Sequence, residues 1–148
     1  MMRVAVIQMT STEDEVKNDL LAISLIERAV KKRGAKFVCL PECFHCLGRD
    51  SRETQEIARR TYDSCILKFQ NLAKRLGVWL SLGGIHRLNV GETKMSNCHI
   101  IISDKGKISC DYEKVTYTAP IIETPSQPTT TNPFRYISLM LIYQDVFD

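Results

Sequence analysis

Apolar residues recur along this chain in two rhythms that take turns. Residues 4–7 (Val4, Ala5, Val6, Ile7) form a continuous apolar run with Arg3 before it and Gln8 after it. That is the pattern of a strand buried on both faces. Val16, Leu20, Ile23, Ile26 and Val30 then return at steps of three and four, which predicts one apolar helix face. Thr12 and Glu15 have capping-box spacing at its start. Lys31, Lys32 and Arg33 stand where the helix dipole is negative, and Gly34 offers a left-handed cap.

Residues 36–40 read as a second buried strand, ended by Pro41, and residues 43–50 as a loop. Residues 51–76 return to the helical period with a break near Asp63; Ile66, Phe69, Leu72, Ala73 and Leu76 share one side and Gly77 closes the run. Residues 78–82 form a third strand. Gly83 and Gly84 either weaken its far end or admit another backbone close by. Residues 95–103 form a fourth strand, Asp104-Lys105-Gly106 a hairpin loop, and Ile108, Cys110 and Tyr112 alternate on the strand that leaves it. The order β-α-β-α-β plus a hairpin predicts an α/β layered sheet, with parallel pairing through right-handed crossovers.

Composition changes this picture in one place. The chain has 148 residues, 44% of them hydrophobic, with a net charge of +3, which suits a domain with a real core. Four of its five prolines (Pro120, Pro125, Pro128, Pro133) fall in one short stretch, and no glycine follows Gly106. Residues 119–148 carry a net charge of −2 against +5 for residues 1–118. The expected organisation is therefore a structured part, residues 1–118, and a divergent Pro/Thr-rich tail, residues 119–148, in which residues 136–143 could add one short strand. The apolar runs are far shorter than the ~20 residues of a spanning helix. No basic stripe announces nucleic acid. Six cysteines without a secretion signal suggest free thiols and a cytoplasmic location.

Chemistry concentrates where the second strand ends, at Leu40-Pro41-Glu42. Carboxyl ends of strands collect function in open α/β sheets. Pro41 keeps Leu40 extended and so fixes how Glu42 leaves the sheet, as suits a general base; a solvated loop carboxylate is the plainer alternative. Cys43-Phe44-His45-Cys46 is a C-x-x-C pair, with redox or zinc chemistry as its functional reading and ordinary loop thiols as the other. His86 and His99 read as structural histidines with satisfied hydrogen bonds, and Trp79 as a core aromatic.

Four segments widen the view. VAVIQMTST, FVCLPECF, VWLSLGGIHR and SNCHIIISDKGKI occur in that order within residues 3–114. Together they resemble the nitrilase superfamily of carbon–nitrogen hydrolases, on the branch that holds deaminated-glutathione amidase and the nitrilase–Fhit fusion proteins. The resemblance implies an α-β-β-α sandwich, present here as an incomplete, N-terminal part, with subunits that commonly stack in pairs. It implies a Glu, a Lys and a Cys as catalytic groups and no cofactor or metal. Glu42 matches the Glu as base. Tyr112 and Lys114 match the Lys segment and make Lys114 the oxyanion stabiliser, although Glu113 replaces an Arg there and Thr116 a His. The nucleophilic Cys belongs to the second half of the family domain. In the register offered by residues 137–144, Ile142 stands at its position, and none of the six cysteines has its context.

The expected function is thus that of a truncated amide hydrolase, ω-amidase-like, on small amides such as deaminated glutathione. The alternative is an inactive fragment or pseudoenzyme that pairs with a full-length relative. A C-x-x-C redox or zinc module is a third reading. Expected partners are a small-molecule amide and a homo- or hetero-oligomeric copy, with no nucleic acid and no membrane.

Overall fold

The structure, a computed structural model, describes residues 2–89 and 91–114. The expected tail, its strand at 136–143, Thr116 and Ile142 lie outside the described residues. Five strands and two helices follow in the order β1 (Val4–Val6), α1 (Glu15–Arg33), β2 (Phe37–Cys39), α2 (Ser51–Leu76), β3 (Trp79–Arg87), β4 (Ser96–Ile102) and β5 (Ile108–Glu113). The sheet order is β1-β2-β3-β4-β5. β1, β2 and β3 run parallel; β3-β4 and β4-β5 are antiparallel.

Two successive right-handed crossovers stepping the same way across a sheet put both helices on the same face. That face carries Val38, Leu80, Leu82, Cys98, Ile100 and Ile102, all fully buried. Under it α1 contributes Ala22 and Ile26, and α2 contributes Cys65, Phe69 and Ala73. The alternate positions Phe37, Cys39 and Trp79 point the other way. There Val4, Val6, Trp79 and Tyr112 are exposed, and among the described residues no element packs over them. The result is one helical layer on one sheet, half of an α-β-β-α order.

Several local expectations change. Helix α1 starts at Glu15, because Asp14, not Thr12, accepts from the Lys17 amide; Thr12 Oγ1 instead takes the Asp14 amide one step earlier. Its buried side is Asn18, Asp19, Ala22 and Ile26. Of the predicted stripe Ile26 is fully buried and Ile23 and Val30 pack against the core, while Val16 and Leu20 are exposed, so only its N-terminal end is turned from the core. α2 is one helix with no break near Asp63, capped by Asp50 and closed by left-handed Gly77. β1 is an edge strand with one open face, β5 is exposed along its length, and Trp79 lies on the uncovered sheet face rather than in the core.

Of the two readings of Gly83 and Gly84, close backbone approach is what the structure holds. β3 continues through both glycines. A Cβ on Gly83 would lie 2.3 Å from the Leu40 carbonyl oxygen and 2.7 Å from the Pro41 carbonyl carbon. Gly83→Ala is therefore expected to lose about 1–3 kcal/mol of stability by forcing β2 and β3 apart, read as a lowered urea midpoint. An unchanged midpoint contradicts this packing.

Candidate active site at the carboxyl ends of the strands

Glu42 lies just past β2, where it bridges to Gly84 of β3. A Cβ on Gly84 would come within 2.8 Å of Glu42 Cγ and 2.9 Å of Asn97 Oδ1. The bare glycine lets the Glu42 side chain cross toward β4. There Asn97 Nδ2 donates to Glu42 Oε1 at 2.7 Å. Lys114, just past β5, donates to the same oxygen, also at 2.7 Å. Its own amide is fixed by the Asn97 carbonyl at 2.8 Å. The sheet thus brings together the two groups that the sequence singled out 72 residues apart.

The Lys114 ammonium holds the Glu42 carboxyl below the usual carboxylate range; partial burial opposes this and the Asn97 amide adds to it. Glu42 is then ionised at neutral pH. Both acceptances fall on Oε1, so Oε2 has no partner among the described residues and stays open to a proton. Both side chains are solvent-accessible, at 57% for Glu42 and 37% for Lys114, so the pair is reachable by a small molecule.

Two further groups border this pair. His86 Nε2 lies 4.0 Å from Cys43 Sγ, and His86 Nδ1 is buried without a partner among the described residues. His86 is therefore not the satisfied structural histidine expected, whereas His99 is, with Ser81 Oγ at 3.0 Å from its Nε2. Cys43 has a positive φ of 55°, and its amide donates to the Gly84 carbonyl at 2.8 Å. Asn97 and the Cys43–His86 contact were not singled out from the sequence, and Gly84 was read for close backbone approach but not as a neighbour of Glu42. The SNC and GG segments held the signal, but not which side chain would be their neighbour.

The C-x-x-C pair is split by burial: Cys43 is half-buried and Cys46 buried, its thiol pushed up to about 11 by that burial. His45 faces elsewhere, toward Asp19 Oδ1 and Thr61 Oγ1, both at 2.8 Å. Asp19, His45 and Cys65 bring donor atoms within 4.8 Å of one another, all buried. A metal ion fits poorly there. The Lys68 ammonium already donates to Asp19 Oδ2, Thr61 holds the second ring nitrogen, and burial keeps the Cys65 thiol protonated. The cluster ties the loop after Glu42 to both helices. No described helix is long and apolar enough to cross a membrane.

Comparison with known proteins gives a consistent family. The carbon-nitrogen hydrolase profile matches residues 3–143. The nitrilase and fragile histidine triad fusion protein NitFhit of Caenorhabditis elegans is 37% identical over 113 residues, which is 76% of this chain and 26% of that protein. Deaminated glutathione amidase of Homo sapiens is 34% identical over 114 residues, covering 75% of this chain and 35% of that protein. The C. elegans NitFhit crystal structure matches 82% of this chain with a TM-score of 0.73 and 35% identity, and covers 31% of its own chain. Nit3 of Saccharomyces cerevisiae, a member of branch 10 of the nitrilase superfamily, matches 91% of this chain with a TM-score of 0.68 and 25% identity. The chain spans 26% to 35% of the length of these two curated relatives.

Proposed function

The chain belongs to the carbon-nitrogen hydrolase family, and on that premise we propose that it carries the carboxylate–ammonium half of an amidase site for small ω-amides of the deaminated-glutathione class. Glu42 is the general base and Lys114 the oxyanion stabiliser. One observation carries this reading: Lys114 Nζ donates to Glu42 Oε1 at 2.7 Å, from the ends of two strands that are not neighbours in the sheet.

The chemistry explains why these two types belong together. A thiol attacks an amide carbon well only when a base removes its proton. The ionised Oε2 of Glu42, left open by Asn97 and Lys114, is the group that would do that, and the same carboxylate can later activate water to release the acyl group. Negative charge then grows on the amide oxygen. The Lys114 ammonium is the donor at hand to meet it. Asn97 keeps Glu42 turned toward the sheet edge while Lys114 moves from carboxylate to oxyanion.

With the nucleophile-bearing second half of a relative's domain joined after residue 114, Glu42→Gln is expected to lower turnover of deaminated glutathione by about a hundredfold or more, and Lys114→Met comparably. Neither should move the urea midpoint, since both side chains reach solvent. Turnover unaffected by Glu42→Gln overturns the assignment. A second reading rests on the uncovered sheet face with its exposed Val4, Val6, Trp79 and Tyr112: the chain is inactive and pairs with a full-length relative. It predicts no turnover, and co-elution with such a relative that Val6→Lys abolishes.

A further inference from the structure

We propose that Cys43 is a nucleophile in its own right, with the His86 imidazole as its base, and that this pair takes an acyl group from activated acyl donors such as aryl esters. The pair sits beside Glu42 and Lys114, yet it does not require that those two hydrolyse amides.

Four observations converge on it. Cys43 Sγ lies 4.0 Å from His86 Nε2. Cys43 is the one described non-glycine residue at positive φ, 55°, a conformation that costs energy for a side-chain-bearing residue and clusters at functional positions. The bond from its amide to Gly84 holds that turn in place. Finally, His86 Nδ1 has no partner among the described residues, so no described residue commits the ring to a structural bond through that nitrogen.

The other described thiols lack this setting. Cys46, Cys65 and Cys98 are buried; Cys110 is exposed on β5; Cys39 is half-buried next to Ser81. Cys43 alone among them is partly open to solvent and has an imidazole within reach.

Burial holds the His86 imidazole below its ordinary value; Glu42 opposes that, and His45 and Lys114 reinforce it. The ring is therefore neutral at pH 7 and able to accept a proton. Burial, then the Glu42 charge, holds the Cys43 thiol up, against the pull of Lys114. The proton stays on sulfur until a base takes it. This neutral pair transfers its proton during attack rather than before it.

The step balances. The S–H proton passes to His86 Nε2 as sulfur attacks the acyl carbon. A C–S bond forms and the C–O bond to the aryl oxide breaks. The aryl oxide leaves with the proton from Nε2. Thiol and aryl ester become thioester and phenol, with no oxidant and no metal.

The test uses the full chain and p-nitrophenyl acetate. Nitrophenol release is followed together with peptide mass spectrometry of the acetylated thiols. Cys43 is expected to be acetylated about tenfold faster than Cys110, and His86→Asn to slow Cys43 by about a hundredfold while leaving Cys110 unchanged. Labelling led by Cys110, or a Cys43 rate indifferent to His86→Asn, overturns the proposal. Labelling of buried Cys65 in the variant would reveal unfolding, and the pH profile of the unsubstituted protein then decides. A Cys43 rate that rises with an inflection below the ordinary imidazole value supports His86 as base. A rise that waits for the range of thiol ionisation overturns it.

Discussion

Asp19→Ala is expected to destabilise the protein by about 3 kcal/mol or more, read as a large drop in urea midpoint with an unchanged slope. The carboxylate is 2% exposed and both its oxygens are in use: Oδ1 meets His45 Nδ1 at 2.8 Å and Oδ2 accepts from Lys68 Nζ. Its loss leaves Lys68 free to turn into solvent, since that side chain is 43% exposed. His45 has no such escape: at 3% exposure it would keep one ring nitrogen buried without a partner. A double-mutant cycle of Asp19 against Lys68 should give a coupling above the ~1 kcal/mol ceiling of surface pairs. A loss below about 0.5 kcal/mol for Asp19→Ala would mean that the network is not formed.

Phe69→Ala carries a cost of the same order, about 3–5 kcal/mol. Phe69 and Phe44 are both fully buried, and their rings meet edge to face with centroids 5.1 Å apart. Truncation opens a cavity between α2 and the loop that follows Glu42. Phe69→Leu should cost less than about 2 kcal/mol, because it keeps most of the volume. The urea midpoint measures both. Equal costs for the two would show that cavity formation is not the cause. Phe44 is two residues from Glu42, so Phe44→Ala should also loosen the carboxylate, visible as broadened Glu42 side-chain resonances at unchanged temperature.

The residues that made the fold legible are those whose signal is local. Gly34 and Gly77 end their helices in the left-handed conformation that glycine tolerates best. Gly106, at φ 75°, closes the hairpin between β4 and β5. Pro41 ends β2 and delivers Glu42 to the sheet edge. The family segments added the Lys114 match, and the structure puts that residue against Glu42.

Other features could not be read locally. The predicted face Val16, Leu20, Ile23, Ile26 and Val30 reaches the core from Ile23 onward, but in the first turns of α1 the buried positions are Asn18, Asp19 and Ala22. Periodicity favours Val16 and Leu20 there; Asp19 is buried in their place because His45 and Lys68 arrive from elsewhere to satisfy it. Apolar runs such as Val4–Val6 look the same whether a strand ends up central or at an edge. Only the strand order β1-β2-β3-β4-β5 shows that both helices lie on one side and leave Val4, Val6 and Trp79 uncovered.

The sequence by itself determined the element order, the C-terminal ends of the helices, the family and the two residues most suited to its chemistry, since each rests on neighbours along the chain or on ordered segments. Tertiary structure alone decided what stands beside them. Asn97 and Gly84 aim Glu42 at Lys114, His86 reaches Cys43, and Asp19 is buried among polar partners. These are contacts between residues 13 to 72 positions apart. They exist because strand pairing puts distant segments about 5 Å apart, and no local pattern of residues encodes which side chains will then face one another.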